Sequence, residues 1–147
     1  MPELDLAAQT GPILVTVTYV LVYYGFIVGF VLRAKTRLAK EYAERGEKFD
    51  RYFGEDREML AADRIQLNML EHMAPFLVLL WLNALFVSPT SATIVGGIYV
   101  ASRLLYPFVM GSRLGRGVKA PILLSTVPGY GVILYFAGAL VYAIATA

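Results

Sequence analysis

Arg64, Asn68 and Glu71 lie in the stretch "ADRIQLNMLEHMAPFLVLLWLNALF" (62–86), whose second half is apolar enough to dissolve in lipid. Their spacing, i, i+4 and i+7, stacks them on one face of a helix with Leu67 between them. A guanidinium, an amide and a carboxylate on one stripe can serve a ligand site in one cavity. Polar side chains also hold helices together inside membrane bundles, which is the simpler reading of such a stripe. That simpler reading accounts less well for Arg103, a second cation in another apolar stretch. By helical rise Glu71 sits about 16 Å and Arg103 about 13 Å from the same membrane face. Each charge alone at the bilayer centre would cost roughly 2.5–3.5 kcal/mol, so a Glu71 to Arg103 contact is expected. His72 faces another side of the helix, Asp63 and Gln66 solvate its entrance, and Pro75 kinks it one turn later.

The elements that position these residues follow from hydropathy. Of the 147 residues 58% are hydrophobic and the mean hydropathy is +0.61, which places the chain among membrane proteins. About 20 apolar residues cross a bilayer, and four stretches reach that length: residues 11–32, 60–87, 91–112 and 120–146. The expected fold is an all-α integral membrane domain over 1–147, a four-transmembrane-helix bundle with a polar loop at 33–59. "SPTS" (88–91) makes the second and third spans a tight antiparallel hairpin.

Arg33, Lys35, Arg37 and Lys40 follow the first span, and Arg113, Arg116 and Lys119 join the third to the fourth. Positive residues in short loops mark the cytoplasmic side, which leaves both termini outside. The start "MPELDLAAQTG" is acidic, unlike a secretory signal, so the first apolar segment is expected to stay as an anchor. The 34–58 segment reads as a basic, then mixed-charge helical arm and a loop at Gly46 or Gly54, and its basic start suits anionic headgroups. Gly25 and Gly29 in "GFIVG" suit close helix packing.

Thirteen Lys and Arg against eleven Asp and Glu give a net charge of only +2, so nucleic acid is not an expected partner. Seven of the eleven acids lie between Glu41 and Glu58, and none follows Glu71. The absence of cysteine excludes disulfides, thiolate metal sites and cysteine nucleophiles, and a single histidine makes no metal site.

"RIQLNMLEHMAPF" (64–76) resembles the R-x-x-x-N-x-x-E-x-x-x-P-F signature of the MAPEG family, membrane-associated proteins in eicosanoid and glutathione metabolism. The resemblance extends to four spans, a long polar first loop, "SRLLYPFVMG" in the third span and "PGYGVILYFAGAL" in the fourth. It implies a homotrimer that binds glutathione as co-substrate between protomers near the cytosolic side, with a lipophilic second substrate arriving from membrane lipid. By position it implies that Arg64 and Asn68 hold glutathione's polar groups and that Glu71 meets its amino end or the neighbouring arginine. Arg103 matches the family's third-span arginine, and Tyr106 stands where eukaryotic members often place histidine.

The implied chemistry is ionisation of the bound thiol by a positive group, followed by thiolate attack on an electrophile. Active members carry an arginine at the start of the fourth span, where "KAPILLSTVPGY" (119–130) has none and Leu123 or its neighbour occupies the place. Arg116 and its loop neighbours, or the hydroxyls of Ser125 and Thr126, are the remaining catalytic candidates. Three functions therefore compete: a glutathione transferase or peroxidase, a lipid-binding scaffold of the same fold, and a small channel or transporter subunit. The last is disfavoured because the buried charges do not continue across the bilayer. A compact form of this kind suits a bacterial inner membrane.

Overall fold

The computed structural model describes residues 5–110 and 120–147, all of whose regular structure is helical. α1 (Thr10–Phe26) passes through a π-helical turn (Ile27–Leu32) into α2 (Arg33–Glu44), making one 35-residue helix. The chain turns polar at Arg33, and α2 keeps only Ala34 and Leu38 buried while its charges point outward. At its end Gly46 takes a positive φ of 70°. Glu47 N–H bonds the Tyr42 carbonyl and Gly46 N–H the Ala43 carbonyl, the paired bonds of a glycine-terminated helix.

α3 (Arg57–Phe86) starts where Asp56 Oδ1 accepts from the Glu58 and Met59 amides at 3.0 Å each. Such a cap contributes about 1 kcal/mol. Its 30 residues rise about 45 Å, longer than the hydrocarbon core, so the first turns stand in the interface. Only Val87 and Ser88 separate α3 from α4 (Pro89–Met110). Ser88 Oγ accepts the Ser91 amide at 3.2 Å and Pro89 fills the first helical position, where its missing N–H costs nothing. α5 (Ala120–Thr146) completes the fold. Four of these helices are long and apolar enough to cross a membrane, as an integral membrane protein requires.

α3 and α4 form the middle of the bundle, with α1 on one side and α5 on the other. The core is aromatic: Phe76 stacks on Tyr99 with ring centroids 3.9 Å apart, and Tyr19 packs against both. Tyr19, fully buried, donates to the Met69 carbonyl at 2.7 Å, and Asn83 donates to the Phe136 carbonyl at 3.0 Å. These two bonds fasten α1 and α5 to α3. Close approach depends on Gly96, where a side chain would meet Leu80 and Val15, and on Gly11, where it would meet Thr93. The expected packing at Gly25 and Gly29 is absent within the chain, because a Cβ at either meets nothing within 4 Å. Leu14, Leu21, Val78, Leu134, Val141 and Ile144 are exposed on the outside of the bundle, the surface that lipid would cover.

Candidate functional site

Of the polar stripe of α3, Asn68 faces α4. Arg103 is only 2% exposed, and its guanidinium is the centre of the arrangement. Nη1 donates to Asn68 Oδ1 at 2.9 Å and Nη2 donates to the Ser125 carbonyl at 2.7 Å. Nε reaches Ser102 Oγ at 3.5 Å, and the guanidinium carbon stands 5.1 Å from the Tyr99 ring centroid. Gly129 makes room for this group, since a Cβ there would collide with the guanidinium. One cation thus joins three helices through an amide, a carbonyl and an aromatic face.

Glu71 is elsewhere. The expected Glu71 to Arg103 contact does not form: Glu71 Oε1 accepts from Arg64 Nη1 at 3.2 Å, two turns back along the same helix. The reason is geometric. Asn68 meets Arg103 first, the Gly129 gap draws the guanidinium toward α5, and Glu71 projects from the protein surface. The Arg64 and Glu71 side chains are 45% and 51% exposed, so a charged pair faces outward from a chain built for lipid.

Tyr106 is buried beside Arg64 and has further contacts. His72, half-buried, meets the Tyr130 ring edge-on with centroids 5.3 Å apart, so it borders the stripe through α5. Ser125 is fully buried and its hydroxyl donates to the Ser102 carbonyl, leaving its single proton committed to helix packing. Thr126, the next residue, is half-buried. Arg116, with Arg113 and Lys119, lies outside the described residues. Among the described residues no group of His, Asp or Glu could hold a metal ion.

Two entrance residues have definite partners. Arg51 forms a two-pronged bridge to Asp63 at 2.7 and 2.8 Å, folding the α2 to α3 loop back onto α3, and Gln66 reaches the Tyr23 hydroxyl at 3.4 Å. Tyr99, Gly129 and Ser102 went unmarked in the sequence because a ring, a missing side chain and a serine carry no signal until Arg103 has a direction.

The MAPEG family model matches residues 12–145, nearly the whole chain. The chain belongs to the MAPEG family. A segment of 43 residues is 46% identical to an uncharacterized protein of Synechocystis sp., covering 29% of this chain and 31% of that protein. This chain therefore spans about a third of that relative's length in the match. No solved structure matches the chain significantly. MAPEG membership supports a glutathione-transferase-like or related membrane protein.

Proposed function

We propose that this single-domain MAPEG protein is a membrane glutathione transferase or peroxidase, assembled as a homotrimer with glutathione between protomers. The observation that carries this reading is the outward-facing Arg64 and Glu71 pair. Charged groups left against hydrocarbon are costly, so a second protein surface or a polar ligand covers them. Glutathione supplies both complements: its carboxylates suit Arg64, and its ammonium suits Glu71. Asn68 and Tyr106 stand beside these groups, and Arg103 fixes Asn68 from behind.

In this reading the cationic side of the stripe favours the thiolate over the thiol, which lowers the barrier to attack at neutral pH. With the thiol proton released to water, sulfur then bonds to the electrophilic atom of a lipophilic substrate that enters from the bilayer. The electron pair of the bond that breaks leaves with the displaced group or, at an activated double bond, moves to the neighbouring carbon, which takes a proton from water. Thr126 remains the α5 hydroxyl candidate for the sulfur in this reading, since the proton of Ser125 is committed to the Ser102 carbonyl. The protein would reside in a bacterial inner membrane with its basic connections cytoplasmic and both termini outside.

A lipid-binding scaffold is the second reading, favoured by one feature: the fourth span holds no arginine at the family's catalytic place. Ultraviolet difference absorbance on the detergent-purified protein separates the two. A saturable thiolate band with glutathione, absent with S-methyl glutathione and lost in Arg64→Leu, supports the enzyme. No band at saturating glutathione removes thiol activation and leaves the scaffold.

A further inference from the structure

A cavity of about 740 Å³ opens on a different face of α3 from the stripe, between the π-helical turn and α2 on one side and the start of α3 on the other. Phe30, Ala61, Ala62 and Ile65 form its apolar wall, with Pro107 of α4 closing one side. Arg33, Arg37 and Arg57 also line it, with Glu58 as the one acid among them. Along both helices the order is the same. Gly29, Phe30 and Ile65 lie deeper in the span, and the arginines lie toward the interface. The site is thus apolar inside and cationic outside, the polarity of an anionic amphiphile entering tail first.

Its charges are unevenly committed. Arg37 is paired with Glu58 and also reaches Glu41 at 3.7 Å. Among the described residues Arg33 and Arg57 have no ion-pair partner. Arginine suits phosphate because its planar fork presents several donors to one oxyanion and it sheds water more readily than lysine. Gly29 lines the cavity, and a Cβ there would meet no atom within 4 Å, so a larger side chain has open space to enter. It lies inside the π-helical turn, a form that occurs mostly as short insertions and is frequent at functional sites. The volume falls within the roughly 300–1,000 Å³ of small-molecule sites.

We propose that this cavity seats one anionic phospholipid per protomer, its phosphate between Arg33 and Arg57 and part of an acyl chain along Phe30, Ala61 and Ile65. A free phosphate would leave the apolar wall unfilled, and a zwitterionic lipid would bring its own cation against the arginines. The site is separate from the glutathione stripe and does not depend on that reading.

Native mass spectrometry of the full chain in detergent tests the proposal. The protein is supplied with equal dioleoyl-phosphatidylglycerol and dioleoyl-phosphatidylcholine, and in a second arm with inorganic phosphate as competitor. The expected result is one retained phosphatidylglycerol per protomer, undisturbed by millimolar phosphate. Arg33→Gln with Arg57→Gln weakens retention about tenfold or more, as expected for two arginines at a membrane surface. Gly29→Leu adds a leucine side chain to the cavity lining, keeps every charge, and weakens retention. Lys35→Gln with Lys48→Gln removes the same charge outside the cavity and leaves retention unchanged. Equal retention of the two lipids overturns the proposal, as does equal loss in the lysine variant, which would mean general surface attraction. Retention in Gly29→Leu overturns the seat, competition by phosphate makes it a free-anion site, and loss of the oligomer with lipid retained makes the face an interface between copies.

Discussion

Arg103 of α4 and Asn68 of α3 are joined at 2.9 Å, while Glu71, one turn past Asn68, is bonded to Arg64 of its own helix. The buried cation is therefore balanced by dipoles and a ring face, and the stripe's carboxylate is turned outward. Exposed charge and architecture are divided between two arginines. Arg103 holds the helices, and Arg64 with Glu71 presents the charges.

This division sets an order of effects. Asn68→Leu leaves a guanidinium N–H without its acceptor in the core, a loss of about 1–3 kcal/mol. Glu71→Gln removes one partner of a half-exposed pair, which costs about 1 kcal/mol or less. Thermal unfolding of both variants in one detergent should show the larger drop for Asn68→Leu. Glutathione affinity should fall in both, and in Glu71→Gln without the matching loss of stability. A larger unfolding shift in Glu71→Gln would mean that Glu71, and not Asn68, balances Arg103.

Hydropathy made the four long helices legible, because each has to carry about 20 apolar residues whatever it packs against. The stripe was legible for a similar reason: i, i+4, i+7 spacing defines a face without tertiary knowledge. The partner of Arg103 was not. Depth along two helices put Glu71 and Arg103 level, but rotation about each helix decides contact, and rotation here follows from the Gly129 gap and the Tyr99 ring. Asp63 shows the same limit. It was assigned to water, yet Arg51, twelve residues earlier on a loop, takes both its oxygens.

The turn that carries Arg51 is sensitive to acid. Asp50 Oδ1 accepts from the Phe53 amide at 2.9 Å and the Tyr52 amide at 3.0 Å, and these bonds hold its carboxyl below the usual aspartate value of 3.8. A carboxyl lowered in the folded state stabilises the turn fully above its unfolded value, and the contribution disappears as pH falls through the folded one. The Phe53 amide resonance should therefore shift with pH to a midpoint below 3.8, and Asp50→Asn should abolish that titration. A midpoint at or above 3.8 would show that the turn does not hold its carboxylate.

Gly129 provides the sharpest test of the Arg103 arrangement, because two effects of Gly129→Ala have opposite signs. Alanine favours a helix interior over glycine by about 1 kcal/mol. The added methyl, however, falls on the Arg103 guanidinium, which Asn68 and the Ser125 carbonyl hold in place. Overpacking of that kind costs about 1–3 kcal/mol, so Gly129→Ala should destabilise the protein. In an Arg103→Ala background the obstacle is gone, and the same substitution should be neutral or stabilising by up to about 1 kcal/mol. Unfolding midpoints of the wild type, the two single variants and the double variant give the coupling directly. A coupling of about 0.5–3 kcal/mol is the range for residues in contact, and a value near zero would place Arg103 away from Gly129.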